Sequence, residues 1–379
     1  MKMVVNLHIY PSPFMFESRI MKETNSLIKL KLVNQIIIAS GWQKGLKENE
    51  VIGSEFRIKR FRLFSQFIGR YGKILKYFEF YIRVFFEYRN QHIHYLNCHS
   101  LLVLPIGFLL KKFGKTKILI YDPHELETEK VGLTGMSQTV SKWMERKLLN
   151  YVDKIIVVCD PIAEWYKNEY KLKMVYVIRN MPYRHSLSKQ KSNILKENFN
   201  IPPSHILYIY QGILNKDRGV DILLEVFKKA PSDKHILFMG YGESVSLIKQ
   251  ISTNHKNVHY QKAVKHSEII SYTSSADIGI FFLPGQICLS YKYCLPNKFG
   301  EYLFAGLPVL VSSSLSYLSE LIKNENIGWS IDANNINKLS EFVKETGTDT
   351  LYAKQINVNK FSQKSGWEFE EILYSEIYN

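Results

Sequence analysis

The stretch QICLSYKYCLPNKFGEYLFAGLPVLVSSS at residues 286–314 carries the signals of a loop, a helix and a strand in succession. Pro296 favours the first turn of a helix, because its fixed φ suits that position. Gly306 suits the residue just past the helix end, and the apolar residues 309–311 follow as a strand. The start of such a helix presents unpaired backbone N–H groups and a positive dipole end. This stretch therefore predicts an anion site.

Two charged side chains fall within the predicted helix. Lys298 lies in its first turn, where it adds a cation to the anion site. Glu301 lies one turn further along, about where a carboxylate reaches a sugar hydroxyl while the helix end holds a phosphate. The same pattern is also that of an ordinary loop–helix–strand unit in an α/β domain. The residue pattern alone leaves both interpretations open.

The segment PNKFGEYLFAGLPVLVS at residues 296–312 resembles the donor-site signature of the retaining GT-B glycosyltransferases of glycosyltransferase family 4. In that family the helix start holds the donor pyrophosphate, and the glutamate that matches Glu301 binds the ribose. The family often has a second glutamate eight residues earlier, where this chain has Tyr293. The resemblance implies a donor site that includes Tyr293, Leu295, Pro296, Asn297, Lys298 and Glu301.

A second part of the resemblance follows the strand predicted at residues 205–210. The family pattern G-R-L-x-x-x-K-G aligns its first glycine with Gly212 and its phosphate-contacting lysine with Arg218. Arginine is well suited to phosphate, because its planar guanidinium makes paired hydrogen bonds. Ile213 stands where the family has arginine, and Lys216 is the candidate to replace that charge.

The segment KAVKHSEIISYTSSADIGIFFLP at residues 262–284 resembles a further run of the same family. In the family, the backbone at this point receives the base of the nucleotide, which implies contacts from Ala263 and Val264. The Gly-x-Gly at residues 240–242 lacks the third glycine of a dinucleotide fingerprint, so it does not predict dinucleotide binding.

The first half of the chain alternates predicted strands and helices, beginning with strands at residues 3–10 and 35–39. Such alternation predicts a doubly wound parallel sheet. The segment between them, FESRIMKETNSL at residues 16–27, resembles the first helix of the family. The resemblance implies that Ser18 and Arg19 lie on the side of the sugar acceptor.

The sequence YDPHE directly follows a buried strand predicted at residues 118–121. Ligands of open α/β sheets bind at the carboxyl ends of the strands, which makes Asp122, His124 and Glu125 candidate site residues. The run resembles a YDxHE loop found in many family members. In the wider family a histidine at this point lies under the donor sugar, which implies a catalytic role for His124 and acceptor-side positions for Asp122 and Glu125. A histidine that caps the next helix is the alternative.

The length of 379 residues predicts two domains, because a single core rarely grows so large. The expected fold class is α/β of the GT-B type, with two Rossmann-like doubly wound domains that face each other across a cleft. We expect an acceptor-binding domain at residues 1–183, a polar linker at 184–203 and a nucleotide-sugar-binding domain at 204–358. Residues 359–379 are expected to form a helix that returns to the first domain.

Positive charge is concentrated in the first half of the chain. Residues 1–185 contain 30 Lys and Arg against 16 Asp and Glu, a net +14 of the formal +15. Nine of these cations lie between Arg57 and Arg89, where apolar residues recur at helical spacing at positions 67, 71, 74, 78, 82 and 85. We expect this apolar stripe to enter the core while its cations, Arg70, Lys73, Lys76 and Arg83 among them, face an anionic membrane. A merely solvated face is the alternative, and no nucleic-acid-binding signature accompanies the charge.

The four cysteines show no Cys-x-x-Cys spacing, and no Asp-x-Asp occurs in the sequence. We therefore expect free thiols, a cytoplasmic location and no metal or other cofactor. The apolar run at the amino terminus is too short for a signal peptide, and the sequence predicts no transmembrane helix.

These observations predict a metal-independent, retaining glycosyltransferase, hexosyl or related, with Arg218, Lys298, Glu301 and His124 as catalytic residues. The expected donor is a nucleoside diphosphate sugar. The expected acceptor is a polyprenyl-diphosphate-linked glycan at the inner face of a bacterial membrane, in the synthesis of capsule, lipopolysaccharide or a related surface polysaccharide. Two alternatives stay open, a sugar-nucleotide epimerase of the same fold and a non-catalytic subunit that binds nucleotide sugar or membrane.

Overall fold

A computed structural model describes residues 3–15, 17–67, 72–188, 190–285 and 287–379. The chain divides into two compact units. The first unit comprises Met1–Arg179 together with Glu370–Asn379, and the second comprises Asn180–Phe369. Of the residues 359–379 expected to return to the first domain, only Glu370–Asn379 group with the first unit, where Tyr378 exchanges hydrogen bonds of 2.8 and 3.0 Å with Asn97.

The predicted linker at residues 184–203 is corrected by the structure, which makes this segment part of the second unit. It contains a short helix, Ile194–Asn198, in which Leu195 is fully buried in the core of that unit. The polar, Lys- and Ser-rich composition suggested a linker because the few apolar side chains that anchor the segment are spaced far apart. The expected single helix over the last residues is also wrong, since three helices occupy this part of the chain.

The first unit is built on an eight-stranded sheet in the order β3-β4-β2-β1-β5-β6-β7-β8. Its neighbouring strands are parallel except for β3 and β4, which pair antiparallel. The strands are β1 Val5–Pro13, β2 Gln35–Gly41, β3 Asn49–Ile52, β4 Phe56–Phe61, β5 His92–Cys98, β6 Lys115–Tyr121, β7 Lys154–Val157 and β8 Tyr176–Val177. The helices that connect them are α1 Ser18–Lys29, α2 Gly72–Tyr88, α3 Leu104–Phe113, α4 Gly135–Leu149 and α5 Asp160–Tyr170.

The second unit is built on a six-stranded parallel sheet in the order β11-β10-β9-β12-β13-β14. Its strands are β9 Ile206–Ile213, β10 Lys234–Tyr241, β11 Val258–Lys262, β12 Ile278–Phe281, β13 Val309–Ser312 and β14 Gly328–Ile331. Its helices are α6 Ile194–Asn198, α7 Val220–Phe227, α8 Val245–Asn254, α9 Ile269–Thr273, α10 Leu289–Lys292, α11 Asn297–Phe304, α12 Ser316–Glu325, α13 Ile336–Glu345 and α14 Thr348–Gln363. The chain ends with α15 Trp367–Glu371 and α16 Tyr374–Ile377.

Both sheets have a point where the strand order reverses. In the second unit this point lies between β9 and β12, and in the first between β1 and β5. The order of the second sheet is the Rossmann order, with buried apolar clusters packed on both of its faces. The predicted pair of doubly wound domains is confirmed, and each reversal point marks where a ligand is expected at the carboxyl edge.

The stretch at residues 296–311 folds as its sequence signals indicate. Helix α11 begins after Pro296, which is its N-cap, and ends at Phe304; Gly306, whose φ of +82° is in the left-handed region, lies two residues beyond. The N–H of Leu307 donates to the carbonyl of Tyr302, and the N–H of Gly306 donates to that of Leu303, which closes the helix end. Strand β13 follows directly.

The basic region at residues 56–90 begins as a strand, β4, before the predicted amphipathic helix appears as α2. The expectation that the apolar stripe of this helix enters the core is wrong for Phe78 and Ile82, which are 63% and 42% exposed. Tyr71 of this stripe lies outside the described residues, and the side chains of Phe67 and Ile74 are not described. Phe80, Val84 and Tyr88 on the opposite side are buried instead. Both faces of α2 are apolar, and Phe61 of β4 selects one of them by packing against Phe80 and Tyr88.

Among the described residues, no helix combines the length and apolar character needed to cross a lipid bilayer.

Candidate functional site

A pocket of about 500 Å³ lies in the second unit, where its sheet reverses strand order. The carboxyl ends of β9 and β10, the loop after β11 and the start of α11 contribute to its walls. Its lining consists of Gln211, Gly212, Ile213, Arg218, Met239, Gly240, Tyr241, Ala263, Val264, Ile269, Phe281, Tyr291, Cys294, Pro296, Asn297, Lys298 and Glu301.

Lys298 places its ammonium group against two aromatic rings, those of the buried Tyr210 and of Phe281, which lines the pocket. The Nζ atom lies 4.4 Å from the centre of the Tyr210 ring and 5.1 Å from that of Phe281. Burial, and after it the charge of Arg218, lower the pKa of Lys298 to about 7. A bound anion would supply the partner that this ammonium needs.

Gly212 leaves space for the ammonium group of Lys298. Its φ of +111° is in the region that favours glycine, and a Cβ at this position would lie 3.4 Å from the Nζ of Lys298. A larger residue at position 212 would therefore both strain the backbone and crowd the ammonium.

Arg218 supplies a second cation from the turn before α7. Its guanidinium lies 5.3 Å from the centre of the Tyr291 ring, and its Nε lies 3.4 Å from a carboxylate oxygen of Asp217. With the start of α11 and Lys298, Arg218 brings a third positive element to one pocket. This combination suits a diphosphate, which carries its charge on several oxygens.

The carboxylate of Glu301 is oriented by a chain of side chains from neighbouring elements. The Nε2 atom of Gln211 donates to Glu301, while the Oε1 atom of Gln211 accepts a hydrogen bond of 2.7 Å from the hydroxyl of Thr273. The backbone N–H of Gln211 donates to the Tyr302 hydroxyl at 3.0 Å. Because the amide can satisfy both side-chain partners in one orientation only, Gln211 holds Glu301 in a fixed direction.

The structure brings most of the predicted donor residues together in this pocket. Three predicted residues are not among its lining residues, namely Lys216, Tyr293 and Leu295. Lys216 is exposed, and the half-buried Leu295 packs against the core of the second unit. Those that line the pocket are Gly212, Arg218, Ala263, Val264, Pro296, Asn297, Lys298 and Glu301.

Sequence reasoning missed several lining residues. Gln211 is the most informative of them, since it ends a buried run of β9 just before Gly212 and is a polar residue at a strand end. That position at the carboxyl edge of a parallel sheet was a usable signal. Tyr241 ends β10 and offered the same signal, whereas Ile269, Tyr291 and Cys294 lie in or beside the short helices α9 and α10 and carried none.

The predicted residues of the first unit lie at the reversal point of its sheet. Arg19 and Asp122 are 4% and 0% exposed and form an ion pair of 2.8 Å. Burial alone would raise the pKa of Asp122, but the charge of Arg19, with His124 and His99 nearby, holds that pKa well below its usual range. Arg19 and Asp122 therefore organise this region from within, and their position on the acceptor side stays a prediction.

His124 lies in the loop after β6 with its side chain 30% exposed. Its Nε2 atom lies 3.2 Å from the Nδ1 atom of His99, a residue that sequence reasoning missed. The next helix, α4, begins only at Gly135, so His124 does not cap it. The half-exposed position leaves His124 accessible for a ligand, as expected of a site residue.

Ser18 and Glu125, the other two predicted acceptor-side residues, are both half-buried. Ser18 is half-buried at the first residue of α1. Glu125 forms an ion pair of 3.0 Å with Lys130, which also pairs with Glu127 at 2.9 Å.

Two of the four predicted membrane residues, Lys76 and Arg83, lie on α2 beside an apolar surface. Leu75, Phe78, Ile82 and Phe86 are exposed at spacings of three and four residues, and we call them the exposed α2 stripe. Lys76 and Arg83 flank it, with Arg83 paired to Glu79 at 2.8 Å. Arg70 lies outside the described residues, and the side chain of Lys73 is not described.

The fold is that of the GT-B glycosyltransferases. Sucrose-phosphate synthase from Thermosynechococcus elongatus has 14% identity, covers 99% of this chain and 98% of its own, and superposes with a TM-score of 0.77. HepE from Anabaena in complex with UDP has 13% identity over 98% of this chain and 100% of its own, with a TM-score of 0.66. WaaG, described as a glycosyltransferase involved in lipopolysaccharide biosynthesis, has 12% identity over 99% and 100% of the two chains, with a TM-score of 0.67.

Residues 226–369 match the family model described as Glucosyltransferase 3-like, C-terminal domain. The match spans most of the second unit, including Lys298 and Glu301 of the pocket. A search of curated proteins gives no match.

Proposed function

We propose that this protein is a glycosyltransferase that takes its sugar from a nucleoside diphosphate sugar bound in the pocket of the second unit. The observation that carries the proposal is the convergence of the α11 start, Lys298 and Arg218 beside an oriented carboxylate, Glu301. The match to the family model over residues 226–369 supports it, and so does the similarity to HepE, which was solved with UDP, and to the glycosyltransferase WaaG.

Some pocket residues bind the nucleoside of the donor, and others stabilise the negative charge on its diphosphate. Glu301 accepts hydrogen bonds from the ribose hydroxyls, and Ala263 and Val264 receive the base. When the bond between the anomeric carbon and the diphosphate breaks, negative charge grows on the leaving diphosphate. Arg218, Lys298 and the α11 start stabilise that charge because they already point into the pocket.

In the proposed reaction the bond between the anomeric carbon and the diphosphate breaks while the acceptor hydroxyl forms its bond on the same face, so configuration is retained. The hydroxyl proton passes to an oxygen of the leaving diphosphate. The diphosphate can be neutralised by protein cations, and the sequence contains no Asp-x-Asp, so we propose that transfer needs no metal. Membership of glycosyltransferase family 4 and the contact of His124 with the donor sugar remain predictions from the resemblance.

The acceptor side of the proposal rests on the first unit. The exposed α2 stripe, with Lys76 and Arg83 beside it, has the composition of a surface that lies on an anionic membrane. We therefore propose a peripheral enzyme at the inner face of a bacterial membrane that acts on a polyprenyl-diphosphate-linked glycan in surface polysaccharide synthesis.

The proposal is tested by thermal shift with UDP-, GDP-, dTDP- and ADP-sugars, followed by product analysis. One donor class should raise the Tm, because a ligand that binds only the native state stabilises it by mass action. Release of the nucleoside diphosphate with sugar transfer or slow hydrolysis would support a transferase. A new sugar on an intact nucleotide would indicate an epimerase, and binding without any turnover would indicate a non-catalytic subunit.

A further inference from the structure

A cluster of two histidines and a carboxylate lies at the reversal point of the first sheet. His99 directly follows β5, and Asp122 and His124 follow β6, so adjacent parallel strands bring the three side chains to one edge. The three possible ligand atoms lie within 4.8 Å of one another.

The distances within this cluster match the face of a tetrahedron around a metal ion. The Nδ1 atom of His99 lies 3.2 Å from both the Nε2 atom of His124 and the Oδ2 atom of Asp122, and these last two are 3.7 Å apart. Zinc holds nitrogen and oxygen ligands at about 2.0–2.2 Å, which places neighbouring ligand atoms of a tetrahedron about 3.3–3.6 Å apart.

A hydrogen-bond chain selects the nitrogen of His99 that faces the cluster. The Nδ2 atom of Asn6 donates to the carbonyl of Tyr95 at 3.0 Å and to the Oδ1 atom of Asn97 at 2.8 Å, so its own Oδ1 must face His8. That oxygen accepts from the Nε2 atom of His8 at 2.9 Å. The Nδ1 atom of His8 is then an acceptor for the Nε2–H of His99 at 2.9 Å, and His99 presents the lone pair of Nδ1 to the cluster.

This arrangement is typical of a metal-binding histidine, whose second nitrogen donates to a fixed partner. It also places two acceptors, the Nδ1 atom of His99 and the Oδ2 atom of Asp122, only 3.2 Å apart. Such a contact is favourable when a positive ion lies between the two atoms.

Asp122 is held in direction by Arg19. The Nη2 atom of Arg19 donates to Oδ1 at 2.8 Å and its Nε atom donates to Oδ2 at 3.3 Å, while its Nη1 atom is anchored on the carbonyl of Ile178 at 2.7 Å. Ligand carboxylates are commonly oriented by such outer partners.

We propose that the Nδ1 atom of His99, the Oδ2 atom of Asp122 and the Nε2 atom of His124 bind a zinc ion. Two imidazoles and one carboxylate suit zinc, whereas magnesium and calcium prefer oxygen ligands throughout. The 30% exposure of the His124 side chain provides a route of entry and leaves the fourth coordination position to water.

The site has a consequence for activity that rests on the proposed function. A zinc ion would occupy the Nε2 atom of His124 and fix its ring toward Asp122. If His124 contacts the donor sugar, as the resemblance implies, zinc would inhibit transfer and a chelator would restore it. The zinc site itself does not depend on that role.

The test uses the untagged full-length protein, stripped with EDTA and titrated with zinc against a chromophoric chelator. We expect one zinc ion per chain, and Co²⁺ in its place should give the visible absorption of a four-coordinate ion. His124→Ala should weaken zinc binding beyond the ~10–100-fold that loss of an outer partner costs, and His8→Phe should fall within that range.

His259→Gln is the matched control, because His259 is also buried and bonded to another histidine, His235, but lies in the second unit. It should leave zinc affinity unchanged. His99→Gln is a further variant, used only if circular dichroism shows a native fold, because His99 is buried. His124→Ala removes a partly exposed side chain and should fold, so the test does not depend on His99→Gln. The proposal would be overturned if the wild type does not bind zinc stoichiometrically, or if folded His124→Ala binds zinc with unchanged affinity. A shared proton would then be what bridges the side chains of the cluster. Loss of donor binding would not alter these zinc readouts, so the two proposals fail separately.

Discussion

The side-chain amide of Gln211 donates a hydrogen bond to the carboxylate of Glu301, and the hydroxyl of Thr273 fixes which way that amide points. Gln211 comes from the end of β9 and Glu301 from the second turn of α11. The strand thus sets the direction of a carboxylate that the helix carries, and in the proposed enzyme this direction decides how the ribose is held.

Gln211→Leu should weaken donor binding by about 3- to 10-fold, because Glu301 loses a hydrogen bond worth about 1 kcal/mol. The effect should appear in KM more than in kcat, since the ribose does not react. Gln211→Glu should be more damaging, because two carboxylates would face each other. Gln250→Leu, an exposed change on α8, is the control, and an equal loss in both leucine variants would argue against a positioning role.

Donor binding should be linked to proton uptake by Lys298. Its pKa of about 7 in the free protein means that the ammonium is mostly deprotonated at pH 8, and a bound diphosphate would raise that pKa toward its usual value. At pH 8, therefore, binding should take up close to one proton, and at pH 6 almost none.

Calorimetry in buffers of different ionisation enthalpy measures this uptake directly. Lys298→Met should abolish it, whereas Lys249→Met should not, although Lys249 also lies over an aromatic ring, 5.0 Å from the centre of Tyr260. Uptake at pH 8 that persists in Lys298→Met would assign the proton to another group.

Sugar transfer should continue in EDTA, because Arg218, Lys298 and the α11 start meet the charge of the diphosphate. Removing trace zinc should leave the rate unchanged or raise it. The measurement is the initial rate in EDTA, with and without added Mg²⁺ or Mn²⁺. A rate abolished by EDTA and restored by Mg²⁺ would contradict this view of the phosphate site.

Membrane binding should depend on the exposed α2 stripe as well as on charge. Phe78→Ser with Ile82→Ser should reduce co-sedimentation with anionic vesicles, since each apolar side chain contributes about 1 kcal/mol at the interface. Lys76→Ser should weaken binding at low salt only, because the Debye length falls to about 3–4 Å between 0.5 and 1 M. Val140→Ser, an equally exposed apolar position on α4, is the control.

Equal binding to neutral vesicles would show that the basic side chains contribute nothing, and binding that survives the double change on α2 would show that this surface does not face lipid. A soluble acceptor would then be expected in place of a lipid-linked one.

The sequence predicts those structural features that are determined by residues close together in the chain. The α11 start, Gly306 and β13 follow from neighbouring residues, and they were predicted within one residue of where they occur. The alternation of strands and helices likewise predicts two doubly wound units, because each element carries its own periodicity.

Features that depend on distant residues were not predictable in this way. His8, His99 and Asp122 meet only because β1, β5 and β6 are neighbours in the sheet. The buried face of α2 was misassigned because both faces are apolar, and the choice between them is made by Phe61 from another element. Residues 184–203 were wrongly predicted as a linker, because Leu195 is buried by core residues that are distant in the sequence.

In the proposed enzyme, the pocket beside α11 binds a nucleoside diphosphate sugar through Glu301 and Arg218. The most direct test is kcat/KM and donor Kd for Glu301→Ala, with Arg218→Ala, Tyr293→Ala and the exposed control Glu320→Ala alongside. Glu301→Ala should lower donor affinity about 10- to 100-fold, the loss expected for a hydrogen bond to a charged group worth about 1.5–3 kcal/mol. Arg218→Ala should cost at least as much, mainly in kcat, and Tyr293→Ala should matter less. A kcat/KM for Glu301→Ala within about twofold of the wild type would contradict the assignment of this pocket.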